Sequence, residues 1–407
     1  MSKIAVVGAG KTGRGFIGRL LKEAGKEILF IDKDAELVSE LNKTGKFLVE
    51  FFGNEREPLE VDHFYACTWE NASLEDVELI FVSVGGQNLQ EAGACLAEAM
   101  DSVPSFGGHT HNPWEESPAE AMDSVPSHDG YRHAAPEKFS LESREVRRHY
   151  YLITCENASA PSQTLQNAIG KENISVSEAT VFCTTTEGEG LNILSENYPY
   201  LQCDADLLDG YVPEITQVRP IGHFSDFLTR KLYTYNAASC VIAYLGWVKG
   251  YTDYADAAND EEILELLDKN YAAVNRALCR EFGYDEKDQE EFALLSKRKF
   301  CDRTITDTVA RNARDPQRKL AASERIIGPL RLMYQYGEDA SVLEKTAAAA
   351  LLYRTGQEDA WTRLQTEKTK EEILQELCRI KPEETLFSNI MRYVKEMEAA
   401  LQNGGRL

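Results

Sequence analysis

Nearly continuous apolar runs alternate with amphipathic stretches along the first part of the chain. The runs Lys3–Val7, Glu78–Val84 and Tyr150–Cys155 have the length and composition of strands that are buried in a parallel sheet. Apolar residues at helical spacing in Ala35–Lys43 and Leu89–Met100 predict helices between them. Further strands are predicted at Glu27–Asp32, Phe47–Phe52 and Ile174–Thr184. This alternation predicts an α/β fold of the Rossmann type, in which helices connect parallel strands.

The pattern becomes helical in the second half of the chain. From Phe224 onward, apolar residues recur every three or four positions, as the buried face of a helix requires. Ala347–Leu352 is a strongly helical alanine run. We therefore expect two domains: residues 1–219 form a Rossmann-type dinucleotide-binding domain, and residues 220–407 form a mainly α-helical substrate domain. A cleft between two such domains would be the natural catalytic site.

A glycine-rich loop, Gly8-Ala9-Gly10-Lys11-Thr12-Gly13, joins the first strand to the first helix. In this Gly-x-Gly-x-x-Gly spacing, Gly8 permits a tight turn, Gly10 lets the backbone approach a pyrophosphate, and Gly13 allows close packing of helix and strand. The start of the helix presents free N–H groups and a positive dipole end to phosphates. The candidate cofactor-binding residues of this loop are Gly8, Ala9, Gly10, Thr12 and Gly13.

An acidic residue, Asp32, ends the second predicted strand. Its carboxylate can accept hydrogen bonds from a ribose diol and would repel a 2′-phosphate, which favours NAD over NADP. Because ligands bind outside the carboxyl ends of parallel strands, the regions of Gly8, Asp32, Gly85 and Asn157 should converge. The alternative is an ordinary strand–turn–helix that happens to contain three glycines.

The amino-acid composition and net charge argue against some classes of binding partner. The chain has 407 residues, 43% of them hydrophobic, and a net charge of −23, which argues against nucleic acid and anionic membranes as partners. Nine scattered cysteines without a C-x-x-C pair indicate reduced thiols in a cytoplasmic protein. No signal pattern and no apolar run of roughly 18 residues is present, so we expect a soluble chain. Any phosphate site must therefore be locally basic.

The segment from Asp101 to Arg148 interrupts the α/β pattern. The nine letters of Ala97–Ser105 (AEAMDSVPS) recur without change at Ala119–Ser127. Two interpretations are open: a metal-binding tract, or an irregular insertion whose repeat arose by chance or by a sequence error. We favour the insertion and predict no metal site, because no cysteine or carboxylate pattern fixes a ligand geometry. Four of the seven histidines lie here: His109, His111, His128 and His133.

In the second half, one segment carries candidate chemistry: Arg230–Ser239 (RKLYTYNAAS) contains Lys231 and Asn236. On a regular helix, five residues turn roughly 140° beyond a full circle. The two side chains would therefore flank a site and not share one stripe of the helix. Taken alone, the pair is more often a surface lysine and a helix-interior asparagine.

Several motifs in chain order carry a family resemblance. The opening Gly8–Gly18 (GAGKTGRGFIG) resembles that of the polyol-specific long-chain dehydrogenases, the mannitol dehydrogenase family. The other matching segments are Ser83-Val84-Gly85 with Asn88, Thr154–Asn157, Lys231–Asn236, Ala243–Gly246, Arg311–Leu320 and Arg325–Pro329. These matches span nearly the whole chain.

The resemblance implies an NAD-dependent, metal-independent interconversion of a polyol and its ketose. The substrate would be a small polyol or sugar phosphate, such as mannitol 1-phosphate. Lys231 would be the general base, which requires desolvation or neighbouring positive charge, for example from Arg311, because a lysine normally titrates near 10.4. Asn236 would donate to the reacting oxygen, and Asn157 would hold the substrate or the nicotinamide amide. The family's ribose-side loop corresponds to Val84 and Gly85.

The chain departs from the family on the substrate side. Ser239 occupies the position of the family's histidine, which is thought to hydrogen-bond the reacting alcohol. The family's Asp-Arg-Ile-like strand has no acid or arginine counterpart within residues 179–186. His223 is a candidate to replace the missing histidine, and Arg311 and Ser239 are further substrate-side candidates. These departures leave open a catalytically impaired NAD-binding protein that acts as a sensor. The oligomeric state is left open.

Overall fold

The computed structural model describes residues 3–54, 56–103, 148–158, 160–356 and 358–402. The chain forms two compact units. Unit 1 comprises Met1–Phe47, Glu60–Val181 and Leu207–Val218, and unit 2 comprises Leu48–Leu59, Phe182–Asp206 and Arg219–Leu407. The last passage between the units lies between residues 218 and 219. Two upstream segments, 48–59 and 182–206, belong to unit 2 as well.

The strands follow the predicted pattern closely. The runs at 3–7, 28–31, 47–51, 77–82, 150–154 and 174–180 were all predicted as strands, with ends within a few residues. Their bounds and those of the remaining strands are β1 Lys3–Val7, β2 Ile28–Ile31, β3 Phe47–Phe51, β4 Leu59–Val61, β5 Phe64–Cys67, β6 Val77–Val82, β7 Tyr150–Thr154, β8 Ile174–Thr180, β9 Thr185–Glu187, β10 Ile193–Ser195, β11 Leu201–Asp204 and β12 Val218–Ile221.

The helices dominate the second half of the chain, as predicted. Their bounds are α1 Arg19–Glu23, α2 Ala35–Thr44, α3 Leu89–Asp101, α4 Pro161–Ile169, α5 Phe224–Lys231, α6 Ala237–Val248, α7 Tyr254–Ala258, α8 Glu261–Phe282, α9 Glu286–Cys301, α10 Val309–Ala313, α11 Pro316–Lys319, α12 Ile327–Gln335, α13 Ser341–Leu352, α14 Ala360–Glu367, α15 Lys370–Glu376 and α16 Thr385–Gln402. Turns of π-helix occur at Gly13–Gly18 and Leu232–Asn236.

Unit 1 is built on a parallel sheet whose strands lie in the order β8-β7-β6-β1-β2-β5. The register aligns the carboxyl ends of the central strands, because Val7 pairs with Ile31 on one side and with Val82 on the other. Val82 in turn pairs with Thr154. The chain leaves β1 towards β2 and returns to β6 on the opposite side of β1. This reversal is the position at which doubly wound sheets bind ligands.

The cores of the two units match the residue patterns that predicted them. The buried strands of unit 1 pack against α3 and α4 through Leu89, Leu96 and Leu165. In unit 2, α6 is buried on nearly all sides and α13 contains the predicted alanine run. A helix that is apolar all round belongs at the centre of a helical core. The α-helical character of residues 224–402 is therefore a consequence of burial as well as of propensity.

The insertion predicted at 101–148 falls almost wholly outside the described residues. Asp101 ends α3, and the second copy of the repeat, Ala119–Ser127, and the four histidines 109, 111, 128 and 133 are among the residues not described. Each of the nine cysteines is described and is a free thiol. Among the helices that the structure describes, none combines the length and the apolar composition needed to cross a bilayer.

A buried polar network lies beside the Lys231 segment in unit 2. The Gln289 side chain, fully buried, accepts a hydrogen bond from Arg230 Nε at 2.6 Å. Its amide nitrogen donates to Thr234 Oγ1 at 3.0 Å and to Asn275 Oδ1 at 2.8 Å. The Gln289 side chain of α9 thus forms hydrogen bonds to residues that precede and follow Lys231 in the chain. Buried polar groups of this kind are costly to leave without partners.

Replacing this glutamine should destabilise unit 2. In Gln289→Ala the buried groups of Arg230, Thr234 and Asn275 each lose a partner, so we expect the free energy of unfolding to fall by about 2–3 kcal/mol. Urea unfolding followed by circular dichroism measures the change. The exposed Gln375→Ala on α15 is the matched control and should stay within about 0.5 kcal/mol of the parent chain. Equal stability of the two variants would contradict the assigned role of the network.

Candidate active site

A cleft opens at the carboxyl ends of the central strands of unit 1. It lies where β1 meets β2 and β6, at the reversal of strand order. Its wall combines the glycine loop, the end of β2 and the loop after β6. The lining residues are Val7, Gly8, Gly10, Ile31, Asp32, Lys33, Trp69, Ser83, Val84, Asn88, Glu91 and Ala92. Of the four regions predicted to converge, those of Gly8, Asp32 and Gly85 meet in this cleft, the last through Ser83 and Val84, whereas Asn157 is not among the lining residues.

Two glycines of the loop are required by close backbone approach. Gly8 has a φ of 94°, and a Cβ built on it would lie 2.1 Å from the Ser83 carbonyl oxygen. A Cβ on Gly13 would lie 1.9 Å from the Gly8 carbonyl oxygen. Gly10 differs, because it is exposed and a Cβ there would meet nothing within 4 Å. The space above Gly10 is therefore open to a ligand, as expected for the glycine that faces a pyrophosphate.

The carboxylate of Asp32 is fixed by two backbone groups. Ala9 N donates to Asp32 Oδ2 at 2.6 Å, and Asp34 N donates to Asp32 Oδ1 at 3.0 Å. Asp32 is only partly buried and lines the cleft. A fixed anion at the end of β2 can accept hydrogen bonds from ribose hydroxyls and opposes a second anion there. Thr12, the remaining loop candidate, lies in the first turn of the helix and is partly exposed.

The loop after β6 is held by a residue that the sequence interpretation passed over. Gly85, with a φ of 85°, donates its N–H to Glu156 Oε1 at 2.7 Å. Burial raises the pKa of Glu156, although backbone N–H groups of Gly85 and Val84 favour its charged form. Asn157 follows directly and is exposed. Glu156 was visible only as the middle letter of a strand-end motif, and its role requires knowing that β6 and β7 are neighbours.

In unit 2, Lys231 and Asn236 are joined by a π-helical turn. Lys231 ends α5, the turn covers Leu232–Asn236, and α6 follows at Ala237. The expected separation of 140° holds for a regular helix and is wrong here. A turn closed by i to i+5 hydrogen bonds winds less per residue, so residues five apart come closer to one face. Such turns are rare and are common at functional sites.

Lys231 occupies an environment that weakens its hold on a proton. Its Nζ lies 4.4 Å from the centroid of the Phe182 ring. Burial, followed by the positive charges of Lys299 and Arg325, lowers the pKa of Lys231 to about 8. The expectation of desolvation and neighbouring cations is met, but by different residues. Arg311 is exposed and forms an ion pair with Asp307 at 3.0 Å.

The Ser239 hydroxyl is engaged by its neighbours. Tyr254 donates its hydroxyl to Ser239 Oγ at 3.1 Å, and Ser239 Oγ lies 3.5 Å from Asn312 Oδ1. The carbonyl of Asn312 accepts a hydrogen bond from Lys319. Lys319 is buried, and burial together with the positive charges of Arg325 and Arg318 lowers its pKa to about 8. Ser239 is thus connected to a second lysine with a lowered pKa.

The structure does not bring His223 to the Lys231 end of the helix. His223 is exposed and precedes the first residue of α5, whereas Lys231 is the last residue of that helix. Eight residues of α-helix correspond to about 12 Å of rise. Within the described ranges, no group of three or more His, Cys, Asp or Glu side chains is placed to hold a metal ion.

The residues missed by sequence interpretation around Lys231 are Phe182, Lys299 and Arg325. Phe182 lies in the segment that lacks the family's acid and arginine. The sequence does not indicate that its ring contacts Lys231. Lys299 is far along the chain on α9, and no local pattern marks it. Arg325 belongs to the late arginine block that the resemblance singled out. Only tertiary packing shows that all three surround one amine.

The fold and these sites define a Rossmann-type dinucleotide-binding protein with an appended helical domain. Comparison with family models agrees. Residues 4–102 match the ketopantoate reductase PanE/ApbA model, and residues 223–398 match the mannitol dehydrogenase C-terminal domain. Together with the relatives below, these matches confirm the predicted resemblance to the mannitol dehydrogenase family.

Several known proteins are similar over almost the full length of this chain. A mannitol-1-phosphate 5-dehydrogenase of Neurospora crassa is 24% identical, covering 97% of this chain and 96% of the relative. The Bacillus pumilus protein of the same name is 27% identical, covering 95% and 97%. Among solved structures, a D-sorbitol dehydrogenase has a TM-score of 0.70 at 12% identity, covering 98% of this chain and 93% of that one. The Pseudomonas fluorescens mannitol 2-dehydrogenase, solved with NAD and D-mannitol, has a TM-score of 0.60 at 11% identity, covering 99% and 92%. At these identities the two structures establish the fold.

The different surroundings of two loop glycines give a test. Gly13→Ala places a methyl group against the Gly8 carbonyl, which side-chain rotation cannot relieve, so the free energy of unfolding should fall by about 3 kcal/mol. Gly10→Ala meets open space and should change stability by less than about 0.5 kcal/mol. Urea unfolding of both variants measures the difference. A Gly13→Ala variant as stable as Gly10→Ala would contradict the assigned packing.

Proposed function

We propose that Lys231 is the general base in a metal-independent oxidation of a sugar-alcohol phosphate, such as mannitol 1-phosphate, to the corresponding ketose phosphate. The coarser assignment, an NAD-dependent polyol dehydrogenase, follows from the relatives and the family described above. The observation that carries the finer proposal is the partly buried Lys231, whose pKa is lowered to about 8, one π-helical turn from Asn236.

The residues of unit 1 fit NAD. Gly10 is bare and open, the helix start beside it offers backbone N–H groups, and the Asp32 carboxylate is fixed at the end of β2. Gly10 and Thr12 would face the pyrophosphate, Asp32 the ribose diol, and Val84 with Gly85 would form the ribose-side loop, while Gly8 and Gly13 hold the loop closely packed. When bound, NAD supplies the hydride acceptor for the oxidation.

The protein's own contribution to the reaction is the proton step. With a pKa near 8, about one-tenth of Lys231 is a neutral amine at pH 7, compared with well under one-thousandth for a lysine at its ordinary value. The neutral amine takes the proton of the substrate hydroxyl, and the Asn236 amide donates to the oxygen that becomes negative. In the direction of ketose reduction, the Lys231 ammonium returns this proton. Asn157 would orient the substrate or the nicotinamide amide.

A phosphate group on the substrate finds local positive charge in unit 2 in spite of the net charge of −23. The segment that bears α10 and α11 exposes Arg311, Arg314 and Arg318. Arg318 and Arg325 also lie close enough to Lys319 for their charges to interact with it, as the lowered pKa of Lys319 reflects. Arginine is suited to phosphate because its planar fork matches the phosphate oxygens. These cations support a phosphorylated polyol over a neutral one.

A second candidate function is an NAD-binding sensor without turnover. It is favoured by Ser239, which stands where the family has histidine and whose hydroxyl is already bonded to Tyr254. Serine cannot carry charge to the reacting alcohol. Binding of NADH without oxidation of any polyol would support the sensor over the enzyme.

Replacing the proposed base provides the direct test. Lys231→Ala should lower kcat/KM for polyol oxidation by roughly 10²–10⁴-fold, because proton transfer loses its acceptor, while NADH binding stays within about twofold. NADH formation on a panel of polyols and their phosphates, with calorimetry for coenzyme binding, gives both readouts. Lys249→Ala, which removes a partly buried lysine just after α6 that pairs with Asp260 and Glu262, serves as control. Equal rates in Lys231→Ala and the parent chain, or no turnover by the parent on any panel member, would overturn the proposal.

The lowered pKa also predicts a pH dependence with opposite signs in the two directions. Oxidation needs the neutral amine, so kcat/KM should rise about tenfold per pH unit below pH 8 and level off above it. Reduction needs the ammonium, so its rate should be full below pH 8 and decline above it. Steady-state rates between pH 5.5 and 10 check both limbs. An oxidation limb centred near pH 10 would contradict the assigned environment of Lys231.

A further inference from the structure

The segment that contains Phe182, whose ring contacts Lys231, is held by hydrogen bonds from a second lysine, Lys299. Lys299 Nζ, on α9, donates to the Phe182 carbonyl oxygen at 2.7 Å and to Thr184 Oγ1 at 3.2 Å. It also pairs with Glu196 Oε2 at 2.8 Å. The same carboxylate oxygen accepts the Thr184 backbone N–H. The Lys299 ammonium thus has three oxygen partners, all in the stretch 182–196, and its position is determined by them.

The Phe182 ring is fixed from its other sides by aromatic neighbours. Its centroid lies 5.2 Å from that of Tyr198, 4.9 Å from that of Tyr235 and 5.7 Å from that of Phe292. Phe182 is 5% exposed, so its ring has little freedom to move. The Lys231 amine therefore rests on a rigid aromatic face. This face attracts an ammonium, and on its own would favour the charged form of Lys231.

Charges around Lys231 come from two paired cations. Lys299 forms an ion pair with Glu196. Arg325 forms an ion pair with Glu324, whose Oε2 lies 3.1 Å from Arg325 Nε. The two cations oppose the ammonium form of Lys231, whereas the Phe182 face and the two carboxylates favour it. Lys299 takes part in both effects on Lys231, the aromatic contact and the positive charge. It hydrogen-bonds to the Phe182 carbonyl, and its own charge lies near Lys231.

We propose that Lys299, held by Glu196, is a positioning residue for Lys231: it fixes the Phe182 ring against the amine and sets a like charge beside it. The inference rests on the proposed function of Lys231. It also gives a physical role to the segment 179–186, which lacks the family's acid and arginine. In this chain the proton affinity of the base is set by an aromatic face and by a cation from a distant helix.

Two single substitutions should move the pH profile in opposite directions. Lys299→Met removes the like charge and leaves Glu196 without its cation, so the rise of polyol oxidation should shift to higher pH by on the order of half a pH unit or more. Glu196→Gln keeps the Lys299 cation and removes its counter-charge, so the rise should shift to lower pH. Lys299→Arg retains the charge and should restore the parent profile to within about 0.3 pH unit. Lys297→Met, which removes a lysine of the same helix that pairs with Asp268, is the matched control and should not shift it.

A second readout does not depend on turnover. Competitive acetylation of lysines at a series of pH values, read by mass spectrometry, gives the pKa of Lys231 in each folded variant. If the parent chain oxidises no polyol, the proposed function fails while this measurement still tests Lys299. A Lys231 pKa that rises in Lys299→Met and falls in Glu196→Gln supports the inference. An unchanged pKa in both, or shifts of the same sign, overturns it. If Lys299→Met does not fold, the Glu196→Gln and Lys299→Arg variants decide.

Discussion

The removal of one ammonium group from water is the constraint on which the chemistry proposed for unit 2 depends. A lysine in solvent holds its proton far above neutral pH, and nothing in its own structure makes it a base. Burial of Lys231, with Lys299 and Arg325 nearby, lowers its pKa to about 8. That burial requires a rigid surrounding, since a mobile one would admit water. The all-round apolar α6 and the buried Gln289 network supply this rigidity on either side of the π-helical turn.

In unit 1 the corresponding constraint is the close packing of the backbone at the ends of the parallel strands. Its parallel strands are in register at their carboxyl ends, so Gly8, Asp32 and Ser83 follow directly after residues that pair with one another. The close contact of Gly8 with Ser83 and of Gly13 with Gly8 leaves no room for a Cβ at either glycine. Backbone packing thus determines the shape of the loop, and the open position at Gly10 remains for a ligand. The sheet register therefore forms the site before any ligand binds.

Much of this was predictable from the sequence, because it depends on local pattern. The strands, most of the helices and the roles of Gly8 and Gly13 follow from apolar periodicity and glycine spacing. The π-helical turn did not follow, since the sequence Leu232–Asn236 has an ordinary helical pattern and contains no local signal for a widened turn. Lys299 and Glu196 were also missed, because residues 103 positions apart meet only in the folded chain. Likewise, the membership of 182–206 in unit 2 reflects packing that periodicity does not encode.

The two departures from the family pattern have one physical feature in common. Ser239 replaces a titratable histidine, and the 179–186 segment replaces an acid and an arginine with Phe182 and its neighbours. Both changes replace ionisable residues of the family pattern with residues that carry no charge at neutral pH. The remaining cations are each paired with an acid, Lys299 with Glu196 and Arg325 with Glu324. Such pairs orient positive charge towards the amine without accumulating net charge in a buried region, where unpaired ions are costly. On the proposed function, the proton affinity of Lys231 therefore depends on its burial, on the placement of these paired cations and on the Phe182 ring.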